Sequence, residues 1–391
     1  MNRMEENSSG RSDKVRIVRS NYDIVLIMLV VLLSVFGLVM IYSISSYNAA
    51  RYYNNANLYF ERQGLFLVIG LVMMLVVSMI DYHIYIRPLK WLFGIRPIWL
   101  LYVMCLGLQL YVLLNGYEAG GSSRWIRIGS LGNFQPSELT KICFILLVAY
   151  LVQTVPNRIN YFYGFIAVSI FMLPLLVLVA LQNLSTAIIM AGIMGVICFV
   201  AARKKGYFVI VLAMMAVFLV FFVFVADYRA SRIESWLHPE TVDPGSQITQ
   251  GLYAIASGGL WGKGLGESIQ KLGRINEVHT DMIFTVICEE LGIIGAIMVL
   301  AVFLMLLWRL LLIAVNAPDM FGGLVATGVL THIAAQVLLN IAVVTSTIPA
   351  TGIPFPFISY GGSSLTVLMT EMGIALSVSK YTNRERATDE S

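Results

Sequence analysis

Ten long apolar segments recur along the chain and constrain its fold more than any other feature. A transmembrane helix needs about 20 apolar residues, and these segments have roughly that length, although the fourth is short and begins with polar residues. They cover residues 22–43, 63–80, 97–115, 138–153, 162–181, 185–202, 207–226, 281–307, 321–346 and 361–379. The sequence therefore predicts an all-α polytopic membrane protein with about ten transmembrane helices and a large extracytoplasmic loop between helices 7 and 8.

Composition excludes a soluble globular protein. Of the 391 residues, 58% are hydrophobic and 12% are charged, and the mean hydropathy is +0.81. These values leave no room for a sizeable soluble domain. The net charge of +4 is small, and no basic patch interleaved with aromatic residues indicates nucleic-acid binding. Four cysteines lie inside apolar segments without paired spacing, which favours core packing over disulfides or a zinc site. They are Cys105, Cys143, Cys198 and Cys288.

The segment pattern predicts one transmembrane domain with short polar tails. Residues 1–20 are predicted to be a flexible cytoplasmic tail, residues 21–380 a single transmembrane domain with its large outer loop at 227–280, and residues 381–391 a second cytoplasmic tail. The first apolar segment is too long for a signal-peptide core, so it is interpreted as a retained span. If that span runs outward, most of the 26 Lys and Arg residues lie inside. This predicts a multi-pass protein of the plasma (inner) membrane with both termini cytoplasmic.

Two outer loops, 116–141 and 227–280, carry more cations than the positive-inside tendency favours. Either they hold an anionic ligand at the outer face, or long loops are translocated whatever their charge. The second loop is also rich in glycine, which lets backbone approach a phosphate closely, although the spacing matches neither a P-loop nor a dinucleotide fingerprint. Its glycines are Gly258, Gly259, Gly262, Gly264 and Gly266.

Irregular backbone is predicted at 346–364, because three prolines there forbid a continuous helix. At membrane depth such backbone must line a cavity or lie buried in protein. The prolines are Pro349, Pro354 and Pro356. The sequence shows no internal repeat at a fixed period and no inverted pair of broken helices of the transporter type, which lowers the expectation of a carrier.

Four groups of short motifs occur in order along nearly the whole chain. They resemble the signatures of the SEDS family (shape, elongation, division and sporulation), which includes FtsW, RodA and SpoVE. The groups are Ser123–Ile126 with Gln135–Lys141; Leu184–Ala187; Ser257–Gly266 with His279–Phe284 and Glu289–Gly292; and Thr351–Pro354 with Pro356–Ser364. The second group and the basic Arg203–Lys205 resemble the FtsW branch most.

Two segments depart from the family pattern. Gln182-Asn-Leu-Ser-Thr186 stands where the family often has Pro-Asp-Leu-Gly-Thr, so a carboxylate is missing and no acid chemistry is assigned to that turn. Asn276-Glu-Val-His-Thr-Asp-Met282 stands where Pro-Glu-x-His-Thr-Asp-Phe is common, and it keeps the acid.

The resemblance implies a peptidoglycan glycosyltransferase that polymerises lipid II, the undecaprenyl-pyrophosphate-linked disaccharide pentapeptide, at the outer face of the plasma membrane during cell division or cell-wall growth. It also implies a class B penicillin-binding protein transpeptidase as partner, beside other divisome or elongasome membrane proteins. Joining two sugars needs a base for the acceptor hydroxyl and cations for the leaving pyrophosphate. The rival interpretations are a lipid II flippase (transporter) and a non-catalytic divisome scaffold.

Asp281 is the predicted general base, because it lies where the glycine-rich loop meets the outer end of a span. The alternative is a helix N-terminal residue that only stabilises the helix dipole. Partial desolvation would raise its pKa and nearby cations would lower it, so the sequence leaves the direction open. A divalent cation, Mg or Mn, that bridges Asp281 and the pyrophosphate is also compatible with the sequence.

Five cations are candidates to bind or guide the pyrophosphate. They are Arg124, Lys141, Lys263, Lys271 and Arg274. Arg124 would form bidentate hydrogen bonds, whereas Lys141 would act as a point charge. An equal alternative for Lys141 is an ion pair with Glu138, three residues earlier on the same helix. Arg127 is expected to lie among lipid headgroups.

A further set of residues is expected to support the site. Glu289 shares a helix face with Asp281, about 12 Å deeper at 1.5 Å per residue, whereas Glu290 points nearly opposite. Glu289 and Glu371 are functional candidates at that depth, although a backbone amide or a basic partner is the favoured alternative. His279 either hydrogen-bonds to substrate or, as we favour, caps the helix. The supporting set is Glu138, Gly264, Gly266, His279, Thr280, Glu289, Ser359 and Tyr360.

Overall fold

The computed structural model describes residues 22–89, 94–119, 122–129, 132–214, 217, 236, 247–269 and 278–381. The predicted tail 1–20, nearly all of the tail 381–391, much of the outer loop 227–280 and most of the seventh predicted span lie outside these residues. Lys271 and Arg274 also lie outside them. The predictions made for those segments stay predictions.

The described chain is mostly helical, as predicted. Its helices are α1 (Ile24–Tyr53), α2 (Leu58–Met79), α3 (Pro97–Asn115), α4 (Pro136–Thr154), α5 (Phe162–Gln182), α6 (Leu184–Ala201), α7 (Gln247–Gly258), α8 (Ile283–Val315), α9 (Met320–Val344) and α10 (Gly362–Ser379). Among the described residues, 8 helices are long and apolar enough to cross a membrane, namely α1 to α6, α8 and α9. The more polar α10 matches the tenth predicted span, so every predicted span except the seventh coincides with a described helix.

Local sequence explains where several helices begin. The Asp23 carboxylate caps α1 by accepting the Leu26 N–H at 2.9 Å, and Asp319 caps α9 by accepting the Gly322 N–H at 2.9 Å. A proline occupies the first turn of α3 and of α4, where its missing N–H costs no helical hydrogen bond.

Helix α4 lies at the centre of the bundle. The polar start of the fourth predicted span does not shorten it, and it is the most buried candidate span, with 78% of its apolar window buried. Every residue from Ile142 to Tyr150 is buried. It packs against α3, α6 and α9. A helix that is apolar on all sides is expected to be surrounded by others, and α4 is.

A small antiparallel sheet replaces the loop predicted after α3. Its strands are β1 (Tyr117–Ala119), β2 (Ser122–Ile128) and β3 (Gly132–Phe134), in the order β1-β2-β3. Trp125 pairs with Tyr117 across β1, and Ile126 pairs with Phe134 across β3. Aromatic and β-branched residues fit such a pleated surface. The sheet matters for the site because β2 carries Arg124.

Two polar side-chain contacts, called ties below, join α1 to α8, one near each end of the apolar span Ile24–Ser46. The Asp23 carboxylate accepts Arg309 Nη2 at 2.6 Å, and Ser43 Oγ donates to Glu290 Oε1 at 2.8 Å. About 20 residues of α1 separate the ties, a rise of roughly 30 Å, which is the thickness of a bilayer's hydrocarbon core. The two ties are therefore separated along α1 by about the thickness of a hydrocarbon core, and Asp281 precedes the start of α8, on the side of the Ser43 to Glu290 tie.

An acidic and basic cluster joins the segment after α2 to the turn before α9. His83 Nδ1 lies 2.7 Å from Asp81 Oδ1, and His83 Nε2 lies 3.2 Å from Asp319 Oδ2. Arg87 Nη1 lies 3.1 Å from Asp81 Oδ2, and the Tyr82 hydroxyl donates to Asp319. Burial raises the pKa of Asp81, but hydrogen bonds from the backbone and ring of His83 and the charges of His83 and Arg87 outweigh it and lower that pKa.

Candidate active site

A cavity of about 400 Å³ lies where α8 and α10 begin and α9 ends. Its walls come from β2, the turn before α8, the irregular segment after α9 and the start of α10. The prediction that the proline-rich segment lines a cavity or lies buried in protein is confirmed, because residues 354–357 form part of the wall and Phe355 and Phe357 are buried. Among the predicted site residues, the cavity brings together Arg124, Thr280, Asp281, Ser359 and Tyr360.

Asp281 is half-buried in this wall. Its Oδ1 lies 3.4 Å from Gln247 Nε2 and 3.3 Å from Thr280 Oγ1. Since Gln247 is the first residue of α7, that helix begins beside the carboxylate. A Cβ on Gly352 would lie 3.9 Å from Asp281 Oδ2, so the loop backbone approaches the second oxygen. The carboxylate is therefore oriented by its neighbours at the edge of the cavity.

The irregular segment after α9 is fastened to the turn that carries Asp281. Ser359 Oγ donates to the Thr280 carbonyl and accepts the Phe355 N–H at 2.8 Å. The Tyr360 N–H donates to the His279 carbonyl at 2.8 Å. Ser359, through its hydroxyl, and Tyr360, through its N–H, thus join this segment to the backbone of the turn that carries Asp281. This contact is consistent with their predicted supporting role.

His279 packs against two tyrosine rings, which also contact each other. Its ring centroid is 5.2 Å from that of Tyr59 and 5.5 Å from that of Tyr360. Helix α8 begins only at Ile283, with Met282 at the N-cap and no side-chain hydrogen bond there. The expectation that His279 caps this helix is therefore wrong, because the chain turns between His279 and the first helical residue.

Arg124 reaches the cavity from β2 and is half-buried. Its Nε donates to the Gln182 carbonyl at 3.0 Å, which anchors the guanidinium beside the end of α5. Arg127 instead stacks on the Tyr117 ring, 4.7 Å from its centroid, on the exposed side of the sheet. Of the two arginines in β2, Arg124 is thus the one placed to contact an anion in the cavity.

Lys141 is buried behind the cavity wall. Its side chain is 2% exposed, and its Nζ lies 3.0 Å from Glu138 Oε1. Glu138 also accepts Ser364 Oγ at 3.0 Å, and Ser364 lines the cavity. The structure therefore supports the ion pair that the sequence offered as the alternative, and Lys141 and Glu138 brace the wall from behind.

Lys263 is engaged in a similar way. Its Nζ lies 2.6 Å from Glu289 Oε1, and Glu289 is fully buried. The same carboxylate accepts the Ile269 N–H at 3.2 Å and the Ser268 hydroxyl. The structural alternative for Glu289 is thus confirmed. The expectation for Glu290 is also confirmed, because it bonds to Ser43 of α1 on the opposite side.

The glycine-rich loop is inserted into a break in α8. Gly292 has φ 70° and ψ −172°, so the helical hydrogen bonds are interrupted there. Lys263 N and Gly264 N donate to the carbonyls of Glu289 and Glu290, both at 3.0 Å. Ile293 N in turn donates to the Gly259 carbonyl at 3.0 Å. The loop therefore satisfies backbone groups that the break would leave unpaired.

This insertion changes the interpretation of the glycines. A Cβ on Gly258 would lie 2.0 Å from the Cys288 carbonyl oxygen, and one on Gly262 would lie 2.2 Å from that of Glu290. These two glycines allow close packing of backbone on backbone, so their predicted contact with phosphate is corrected. Gly264 and Gly266 follow in the loop, and a Cβ on Gly266 would meet no atom within 4 Å.

One further acid inside the membrane has a basic partner. His332 Nδ1 of α9 lies 2.8 Å from Glu371 Oε2 of α10, and both side chains are 1% exposed. This confirms the alternative of a structural partner for Glu371. Within the described ranges, no group of three or more His, Cys, Asp or Glu side chains is placed to hold a metal ion. A cation at Asp281 would therefore depend on substrate phosphates for further ligands.

Several cavity residues were not singled out from the sequence. Trp125, Asn133 and Gln135 line the cavity beside Arg124. Trp125 and Gln135 belong to the first motif group, so that motif was an available signal. Gln247 carried no local signal, because only the fold of the outer loop brings it to Asp281.

Comparison with known proteins shows extended similarity. A family model described as "Cell cycle protein" and named for FtsW, RodA and SpoVE matches residues 23–384. Stage V sporulation protein E of Bacillus subtilis is 38% identical over 369 residues, which cover 93% of this chain and 98% of that protein. A probable peptidoglycan glycosyltransferase FtsW of Geobacter metallireducens is 38% identical over 364 residues, covering 92% of this chain and 94% of that protein.

Two solved structures are similar along the same length. A chain from "Structural coordination of polymerization and crosslinking by a peptidoglycan synthase complex" has a TM-score of 0.74 and 27% identity, covering 93% of this chain and 99% of that chain. A mutant of the rod shape determining protein RodA of Thermus thermophilus has a TM-score of 0.66 and 25% identity, with coverage of 93% and 99%. The sequence similarity and the structural similarity therefore both extend over nearly the whole chain.

Proposed function

The chain belongs to the FtsW/RodA/SpoVE family of cell cycle proteins, and from that premise we propose that it is a peptidoglycan glycosyltransferase that polymerises lipid II at the outer face of the plasma membrane. One observation carries the proposal: a single cavity beyond the outer membrane boundary is lined by both Asp281 and Arg124. A base and a cation are the groups that this reaction needs.

The location of the cavity suits a lipid-linked sugar. We place the outer boundary of the hydrocarbon core at the Ser43 to Glu290 tie; the helix rises roughly 10 Å from Glu290 to its first residue, Ile283, at 1.5 Å per residue, and Asp281 precedes that residue. A prenyl tail would remain in the membrane while the pyrophosphate and the sugars reach the cavity. We assign no residues to the tail.

In the proposed reaction, Asp281 removes the proton of an acceptor sugar hydroxyl. The hydroxyl oxygen then forms a bond to the anomeric carbon of a second lipid-linked sugar, and the bond from that carbon to the pyrophosphate oxygen breaks. Gln247 and Thr280, at 3.4 Å and 3.3 Å from Asp281 Oδ1, orient the carboxylate. The Arg124 guanidinium is suited to bind the leaving pyrophosphate by paired hydrogen bonds.

A divalent cation remains part of the proposal. Asp281 would hold it, and the pyrophosphate would provide the other ligands, since Mg²⁺ often binds one or two carboxylates together with phosphates. Such an ion would neutralise charge on the leaving group. Loss of polymerisation on chelation, with recovery on adding Mg²⁺ or Mn²⁺, would support this role, whereas unchanged activity in excess chelator would refute it.

We further propose a class B penicillin-binding protein as partner and both termini in the cytoplasm. The partner is supported by similarity to a chain of a complex that coordinates polymerisation and crosslinking. The orientation is supported by Arg309, which pairs with Asp23 at 2.6 Å at one boundary, on the side that most Lys and Arg residues favour. A crosslinking partner would act on the glycan strand that this protein makes.

The decisive experiment compares glycan polymer made from lipid II by the wild type, Asp281→Asn and Glu267→Gln, each purified with its partner. Glu267→Gln is the matched control, because Glu267 is an exposed acid of the same outer loop. Polymer from the wild type and the control but not from Asp281→Asn supports the polymerase and its base. Polymer from all three proteins would show that Asp281 is not the base and that another group removes the proton. No polymer from well-folded wild type favours a flippase or a scaffold, which a lipid II flipping assay separates.

A further inference from the structure

The Asn340 side chain connects two segments of the cavity wall, the turn before α8 and the irregular segment after α9. Asn340 lies near the outer end of α9, and its side chain is 1% exposed. Its Nδ2 donates to the Asp281 carbonyl at 2.8 Å and to the Ile353 carbonyl at 2.8 Å. One buried amide therefore joins the backbone of Asp281, the proposed base, to the irregular segment that lies beside it in the cavity wall.

The two bonds fix the orientation of this amide. An amide nitrogen has two N–H donors, and here each faces a backbone carbonyl. Rotating the group would place Oδ1 against two carbonyl oxygens, which is repulsive, so no alternative orientation serves both partners. The Ile353 carbonyl precedes Pro354, which has no N–H, so this part of the irregular segment has few backbone donors.

Asn340 also stands on rigid support. Helix α9 is continuous from Met320 to Val344, and its buried face packs against α4, α6 and α8. The turn before α8 and the segment after α9 have no regular structure of their own. The helix thus provides the fixed reference against which both walls are held.

We infer that Asn340 is a positioning residue, which sets the place of Asp281 relative to the adjoining segment 351–361 of the cavity wall and so to the reacting sugars. The inference rests on the proposed function. Asn340 donates to the backbone carbonyl of Asp281, so it acts through that residue and takes no proton itself. Catalysis is sensitive to such placement, since a displacement of about 1 Å costs on the order of 100-fold in rate.

The test replaces both donors and keeps the size of the side chain. Asn340→Leu removes them, and Asn340→Asp keeps the shape but, when ionised, donates nothing. Gln336→Leu is the matched control, because Gln336 lies one turn deeper on the same face and is 1% exposed. Each variant is assayed as the folded complex with its partner, for kcat and KM with lipid II and for hydrogen exchange in residues 278–285 and 351–361.

We expect both Asn340 variants to lower kcat by about 10- to 100-fold with KM changed by less than about threefold. Exchange should be faster in both segments, while the control keeps wild-type kcat and exchange. An equal loss in the control would show general damage to α9 and refute the inference. Unchanged kcat, a loss expressed only in KM, or unchanged exchange would also refute it. If the wild type makes no polymer, the proposed function fails; if it does, these outcomes judge Asn340 alone.

Discussion

The ion pair between Lys263 and Glu289 offers a test that separates structure from substrate binding. Glu289 is fully buried, whereas the Lys263 side chain is 28% exposed. Lys263→Met removes the cation and leaves a buried carboxylate with only the hydroxyl and amide donors of its loop. Breaking a buried pair in this way costs about 3 to 5 kcal/mol. Because Lys263 is partly exposed, we expect the lower end, about 3 kcal/mol.

The reverse substitution is expected to be milder. Glu289→Gln leaves no buried charge, the amide oxygen can still accept the Ile269 N–H, and the partly exposed Lys263 can be hydrated. The expected cost is about 1 to 2 kcal/mol, the loss of hydrogen bonds to a charged group. The double variant should be about as stable as Glu289→Gln alone, so the coupling energy between the two positions should equal the cost of Lys263→Met, about 3 kcal/mol.

The assay is unfolding of the purified protein by denaturant, together with glycan synthesis by the folded fraction. Wild-type stability in Lys263→Met, or additive losses in the double variant, would refute the structural role of the pair. Polymerisation by a stable double variant would show that Lys263 is not needed for the pyrophosphate. A stable but inactive double variant would restore the prediction, made from the sequence, that Lys263 binds substrate.

Two further perturbations test features described above. Gly262→Ala should destabilise the protein by about 2 to 4 kcal/mol in the same assay, because the residue has φ 78° and its Cβ would meet the Glu290 carbonyl at 2.2 Å. The control is Gly192→Ala on α6, where a Cβ would meet no atom within 4 Å, and it should cost little. Equal losses of stability in the two variants would contradict this reasoning. Asp81, whose lowered pKa lies below its ordinary 3.8, contributes stability above pH 3.8 that is lost as the pH falls through the lowered pKa. Asp81→Asn should therefore be less stable than wild type at neutral pH and lose less on acidification below pH 4, and parallel stability curves would argue against it.

The sequence predicted the spans well for a simple physical reason. Each of the 8 described spans contains an apolar stretch long enough to cross a bilayer, and recognising it needs no knowledge of the neighbouring helices. Prolines at Pro354 and Pro356 made the irregular segment predictable in the same local way. Asp281 and Arg124 were identified by motif, and the cavity that they share required the fold.

Other features could not be predicted because they depend on distant parts of the chain. The break at Gly292 lies inside an uninterrupted apolar segment, and the loop that completes it comes about 30 residues earlier. Whether Lys141 meets Glu138 or a ligand depends on burial, which periodicity does not determine. Asn340 is one amide in an apolar span, and its partners at Asp281 and Ile353 adjoin only in the folded protein.

The two ties between α1 and α8 have a mechanical consequence. Since Asp23 bonds to Arg309 and Ser43 bonds to Glu290, the helices are fastened at both ends and cannot slide past each other. A change in bilayer thickness must then be met by tilting of the pair or by deformation of the lipid. The distance along the helices between the cavity and the Asp23 to Arg309 contact is thus a fixed dimension of the protein. The depth at which a lipid headgroup lies when it approaches the cavity is, in contrast, determined by the surrounding bilayer.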